Sequence, residues 1–172
     1  MNLDDAGNPW PAQASGRART VVQLLTSRGQ TLAVAESLTG GMLAAALTAI
    51  PGASAAFRGG VVAYATDVKA LMLGVPADLL DRHGAVHPEV AAAMATGARA
   101  RMRAGIGAAT TGVAGPDPSD GHPVGTVYIA VSEGRDTVVR ALALTGTRHQ
   151  IRVATVERLL ELLLGLLGED NV

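Results

Sequence analysis

Ser37 lies in the stretch AESLTGG, just after the apolar run Thr31, Leu32, Ala33 and Val34 and just before a segment of small residues. A hydroxyl there, followed by two glycines and a helix, can be a nucleophile. It can also be an ordinary cap, with Ser37 or Thr39 accepting from the first N–H groups of the helix. Gly40 and Gly41 let backbone N–H groups approach an anion at that helix start. The stretch is not a Walker A loop, because no Gly-Lys-Ser/Thr follows, and not a lipase elbow, because Gly-x-Ser-x-Gly is absent. Tyr64 ends a second apolar run, GGVVAY, and Lys69 comes five residues later. A desolvated lysine can lose its proton near neutral pH and act as a base. Paired with a serine, and with a tyrosine hydroxyl to relay or orient, it can activate the nucleophile. Taken singly, Tyr64 reads as a core ring and Lys69 as a solvated helix charge. The Tyr-x-x-x-Lys pair of short-chain dehydrogenases is excluded: the spacing is longer by one, and no G-x-G-x-x-G opens the chain.

A third stretch, TTGVAGPDPSDG, offers Thr111, Gly112 and Gly115 at the end of an apolar run. Such a loop can present N–H groups as an anion nest, or be a surface loop with turn chemistry. His83 and His87 lie four apart, but Gly84 and Pro88 interrupt any helix there. A turn between two helices is the better reading than a two-histidine metal site.

The elements that must position these residues follow from periodicity and breakers. Helices are expected over residues 17–28, 39–50, 67–73, 76–83, 88–103 and 148–167. Strands are expected over 31–35, 59–66, 106–110, 126–132 and 137–144, with EGRD as the hairpin turn between the last two. Strands alternating with helices and then closing in a hairpin predict one three-layer α/β/α domain with a mixed sheet. It occupies residues 16–172, behind a loose tail over residues 1–15. Ligands of such sheets sit beyond the carboxyl ends of the strands. The loops 36–41, 64–69 and 111–116 all lie at such ends. The last helix carries leucines on more than one face, which predicts burial against a further layer or a second subunit.

Composition narrows the function. Of 172 residues, 48% are hydrophobic and 17% charged, which suits a packed domain. Fourteen basic residues against fifteen acidic ones, with no basic block, argue against a nucleic-acid groove. No cysteine is present, so disulfides and thiolate sites are excluded. The polar N-terminus is no signal peptide, and no apolar stretch is long enough to span a bilayer. A cytoplasmic protein is expected.

Several separated stretches match one family in order. AESLTGG, AIPGASAAFRGGVVAYATDVKALMLGV, HGAVHPEVAAAMATGARARMRAGIGAATTGVAGPDPSDGHPVGTVYIAV and GTRHQIR together resemble the CinA C-terminal domain family over about residues 17–168. Its stand-alone members are nicotinamide-nucleotide amidohydrolases. The resemblance implies a three-layer α/β/α fold, a homodimer or larger homo-oligomer, and hydrolysis of the carboxamide of nicotinamide mononucleotide to nicotinate mononucleotide and ammonia. It places the catalytic serine, tyrosine and lysine on Ser37, Tyr64 and Lys69. It places the glycine loop on residues 111–116, with Thr111, Gly112 and Gly115, and an arginine-bearing segment on Arg148 and Arg152. The N–H groups around Thr39, Gly40 and Gly41 would hold an oxyanion or the phosphate. Glu36 would orient the site or cap local backbone. No metal or cofactor is required. The chain departs from the family at Leu38, where Cys is usual, at Ala65 and Thr66, where Ser-Asn is usual, and at His87, where Ser is common. A nucleotide-binding module that keeps the fold without the chemistry is the alternative.

Overall fold

A computed structural model describes residues 12–168. Most of the tail expected over residues 1–15 therefore lies outside the described residues. The centre is β1 (Leu32–Glu36), buried at every position. β2 (Phe57–Val62) and β3 (Ile106–Gly112) flank it in parallel. β4 (Thr126–Glu133) and β5 (Asp136–Ala143) then run antiparallel, giving the order β2-β1-β3-β4-β5. The expected hairpin is present: Glu133 pairs with Asp136 across Gly134 and Arg135, and Gly134 takes the positive φ that a two-residue turn asks for.

Alternation of side chains divides the sheet into two unlike faces. Leu32, Val34, Ile106, Ala108, Ile129 and Val131 share a core with α1 (Ala12–Ser27), α2 (Met42–Thr48) and α6 (Arg148–Leu166). Ala33, Ala35, Ala109 and Ala130 share the other with α3 (Thr66–Leu73), α4 (Ala77–His83) and α5 (Pro88–Arg101). This second face is built from small residues, so α5 lies close against the strands. A methyl group added to Gly107 would overlap the carbonyl oxygen of Ala95, and one on Gly97 that of Leu73. A chain almost without aromatics can pack only by such close approach. The fold is the expected three-layer α/β/α arrangement with a mixed sheet.

Some boundaries differ, each for a local reason. Helix α1 begins at Ala12, before the apolar periodicity becomes visible. Strand β2 stops at Val62 because its one partner, β1, stops at the paired Glu36. Strand β3 runs on to Gly112 because β4 pairs with it that far. Helix α2 starts at Met42, since Gly40 and Gly41 adopt positive φ and hold a turn. The surplus leucines of α6 are covered in part within the chain. Leu159, Leu160 and Leu163 are buried in the core that includes Val21, Val22 and Leu25 of α1, and Arg17 pairs with Glu161 across the two helices at 2.7 Å. Val153, Leu162 and Leu164 are half-buried and Leu166 is exposed. No helix among the described residues is long and apolar enough to cross a membrane.

The close packing of α5 is testable against an open position. Gly107→Ala should cost about 1–3 kcal/mol in urea unfolding, the usual penalty for overpacking. Gly16→Ala, in a helix with no atom near the added methyl, should gain about 0.5–1 kcal/mol. Equal effects of the two would contradict this packing.

Candidate active site

The turn after β1 is held from both sides. Glu36 is buried, and its carboxylate accepts from the N–H groups of Gly41 (3.1 Å), Leu43 (3.0 Å) and Ala44 (2.8 Å). It thereby occupies the N-terminus of α2, where a negative charge is favoured by the unpaired N–H groups. The N–H groups of Gly40 and Met42 are taken by the carbonyls of Ser37 and Thr39. From the opposite side Arg152 of α6 donates to the carbonyls of Leu38 (3.0 Å) and Thr39 (2.8 Å). Thr39 and Thr110 share a buried hydroxyl–hydroxyl bond of 2.8 Å. Glu36, Thr39, Gly40, Gly41 and Arg152 therefore build the turn, and none of them lines the cavity beside it. The N–H groups of Gly40 and Gly41, expected to meet an anion, go to the carbonyl of Ser37 and the carboxylate of Glu36.

The turn presents Ser37 to Lys69. Ser37 N–H donates to the carbonyl of Thr110, fixing the serine over the carboxyl ends of β1 and β3. Helix α3 starts soon after β2 and sends Lys69 back into the gap. Lys69 is fully buried, and its Nζ lies 3.1 Å from Ser37 Oγ, 2.8 Å from the carbonyl oxygen of Ala63 and 3.2 Å from that of Tyr64. Burial penalises the ammonium and the negative charge of Asp120 partly offsets this, so the lysine's pKa falls from 10.5 to about 8. The three contacts also match a neutral amine. Its two hydrogens meet the two carbonyls, which leaves the lone pair facing the serine hydroxyl.

Ser37 and Lys69 stand in the wall of a cavity of about 270 Å³. All three loops expected at strand ends reach it: Leu38 from the first, Tyr64 and Thr66 from the second, and Thr111, Gly112 and Gly115 from the third. Tyr64 is 56% exposed, and its hydroxyl accepts from Arg148 Nη2 at 2.6 Å; its backbone carbonyl, not its hydroxyl, meets Lys69. The tyrosine hydroxyl, expected to relay or orient beside Ser37 and Lys69, is bonded at the cavity mouth instead. Arg148 also donates to the carbonyl of Gly115, so one guanidinium ties the second loop to the third. Asp117, Ser119, Asp120, Ala85, Val86, Val113 and Ala114 complete the lining. None of these is among the expected site residues, although the two acids lie within the third motif; an acid in a turn-rich loop carries no mark of the side it faces. Thr111 Oγ1 donates to the carbonyl of Ala85 at 2.7 Å, and Ala85 N–H donates to Asp120 Oδ2 at 3.2 Å.

A buried Ser–Lys pair beyond the carboxyl ends of β1 and β3, where the sheet order reverses, marks a ligand site of an α/β protein. The chain belongs to the CinA C-terminal domain family, which it matches over residues 15–167. It is 54% identical to a CinA-like protein of Frankia casuarinae over 86% of this chain and 34% of that protein. It is 49% identical to a putative competence-damage inducible protein of Geobacillus kaustophilus over 87% of this chain and 36% of that protein. The chain thus spans about a third of the length of these relatives. Among solved structures, the competence/damage inducible protein CihA of Agrobacterium tumefaciens superposes with a TM-score of 0.90 at 38% identity, over 93% of this chain and 99% of that one.

Glu36 is expected to act through the turn. Glu36→Ala leaves three N–H groups of α2 without their acceptor and should cost about 3 kcal/mol or more. Glu36→Gln, which keeps an acceptor oxygen, should cost less. Urea unfolding of both variants reads the difference, and two equally mild losses would contradict the capping role.

Proposed function

We propose that the chain hydrolyses the carboxamide of nicotinamide mononucleotide to nicotinate mononucleotide and ammonia. The observation that carries this reading is the 3.1 Å contact between Ser37 Oγ and the fully buried Lys69 Nζ. In the proposed reaction Ser37 Oγ attacks the amide carbon while its proton passes to the neutral Lys69 amine. The tetrahedral intermediate breaks its C–N bond as Lys69 returns that proton to nitrogen, and ammonia leaves. Water then attacks the seryl ester, again giving a proton to Lys69, which hands it to Ser37 Oγ as the ester bond breaks. The N–H group of Leu38, which lines the cavity and which the capping of the turn leaves over, is the proposed donor to the oxyanion. Arg148 at the cavity mouth is the proposed phosphate anchor, with Tyr64 holding it in place. Substrate identity comes from the family resemblance; the Ser–Lys geometry supports the reaction class. A cytoplasmic location and assembly as a homo-oligomer belong to the same proposal, and light scattering reads the second.

Ammonia release tests the chemistry. Ser37→Ala should lose several orders of magnitude in kcat. Lys69→Arg should be equally inactive, because a guanidinium keeps its proton. With Lys69 titrating near 8, about one lysine in ten is neutral at pH 7. Since the neutral form reacts, kcat/KM should rise with pH up to about 8 and then level. A profile flat from pH 6 to 9, or an active Lys69→Arg enzyme, would remove Lys69 from the role of base.

The two arginines should separate in kinetics. Arg148→Ala is expected to raise KM with a smaller change in kcat, and Tyr64→Phe to do the same more weakly. Arg152→Ala should lower kcat and thermal stability together, because it releases the turn that carries Ser37. A collapse of kcat in Tyr64→Phe with unchanged KM would restore the tyrosine to the proton path.

A further inference from the structure

The turn between α4 and α5 brings together side chains that the proposed reaction does not use. Helix α4 ends at His83, Gly84 turns the chain with φ +71°, and His87 caps the start of α5 at Pro88. Gly84 and Pro88 prevent a continuous helix, as the sequence suggests, yet the resulting turn folds the two imidazoles onto each other. Their ring centroids are 4.1 Å apart and their planes lie within 18°. Glu89, in the first turn of α5, adds a carboxylate. One ligand atom from each of His83, His87 and Glu89 falls within 4.8 Å of the others, and both histidines are half-buried. No other group of three such residues is gathered so closely among the described residues.

We propose that His83, His87 and Glu89 form a site for a divalent transition-metal ion, Zn²⁺ in the first instance. Two imidazoles and a carboxylate suit zinc, cobalt or nickel; magnesium and calcium want oxygen ligands instead. Ligand atoms around a tetrahedral zinc at ~2.0–2.1 Å stand about 3.4 Å apart. The stacked rings have to unstack, each turning so that a nitrogen lone pair points at the ion within its own ring plane, with water as the fourth ligand. His87 Nδ1 accepts from Glu89 N–H at a long 3.3 Å. Coordination through Nε2 moves the ring proton to Nδ1 and gives up that weak bond; coordination through Nδ1 replaces it. No net proton, electron or co-reactant is needed in either case.

The site lies outside the catalytic cavity but is tied to it. His83 and His87 bracket residues 84–86, and Ala85 and Val86 line the cavity. Ala85 is bonded to Thr111 and Asp120 on the opposite wall. An ion held by both histidines fixes the two ends of this segment, so its occupancy stiffens one cavity wall.

Titration calorimetry on the full chain, without a polyhistidine tag and stripped with chelator, tests this with Zn²⁺ as the probe. The expected result is saturable binding of one ion per chain at micromolar or lower Kd and a raised melting temperature. Substituting Co²⁺ should give the visible absorption of a site with nitrogen and oxygen ligands. His87→Ser and His83→Ala should each weaken binding at least tenfold, and Glu89→Gln less. Circular dichroism establishes that the variants are folded, and the wild-type cobalt spectrum decides the ligand set independently of any variant. Absence of saturable binding at millimolar Zn²⁺, or binding that survives loss of both histidines, overturns the site. Neither result bears on Ser37 or Lys69, so the proposed reaction stands or falls separately.

Discussion

The burial of one amine organises this molecule's chemistry. Lys69 has no contact with solvent, and a charged lysine is costly in such a place unless its hydrogens are matched. Two carbonyls from the end of β2 match two of them, which leaves the third position to Ser37. Desolvation favours the neutral form, and Asp120 limits how far the equilibrium moves. The amine is thus tuned towards neutral pH while remaining in reach of a hydroxyl, the combination that a general base needs. The sheet supplies the rest: β1 ends between β2 and β3, so the serine, the two carbonyls and the lysine arrive from adjacent strand ends.

A second constraint concerns where negative charge can sit. In many α/β proteins the helix that follows the first strand receives an anionic ligand at its N-terminus. Here Glu36 takes that position permanently and spends it on holding the turn. Arg152 fastens the same turn from the carbonyl side. The consequence is a rigid platform for Ser37, at the cost of an anion site. Of the two basic side chains that line the cavity, Arg148 stands at the mouth and Lys69 against Ser37.

Much of this was legible in the residues. The element order, the mixed sheet and the convergence of three strand-end loops followed from periodicity and breakers, because each strand is a short apolar run bounded by glycine or polar residues. Ser37 and Lys69 are ambiguous taken singly, as a cap and a solvated charge, and the family resemblance singles them out together. The role of Glu36 was left open between orientation and capping, since a carboxylate reads alike in both until its N–H partners are seen. Tyr64 and Arg152 are expected at the reaction or the substrate; the Tyr64 hydroxyl meets Arg148, and Arg152 meets the carbonyls of Leu38 and Thr39. Their backbone neighbours, set by turns, decide what each side chain meets. The wall at residues 84–86 carries no reactive group in its sequence, and only tertiary packing brings it to the cavity. At His83 and His87 the sequence points to a turn between two helices, and that turn is present; the stacking of the two rings comes from tertiary packing.

The central claim is that Ser37 forms an ester with the acyl part of the substrate before water releases it. Partitioning with hydroxylamine tests this directly. Added to purified protein turning over nicotinamide mononucleotide, hydroxylamine should intercept the seryl ester and yield the nucleotide hydroxamate at the expense of the carboxylate, with ammonia still released. Mass spectrometry distinguishes the two products. Ammonia release with the carboxylate as sole product at every hydroxylamine concentration would contradict a covalent route through Ser37.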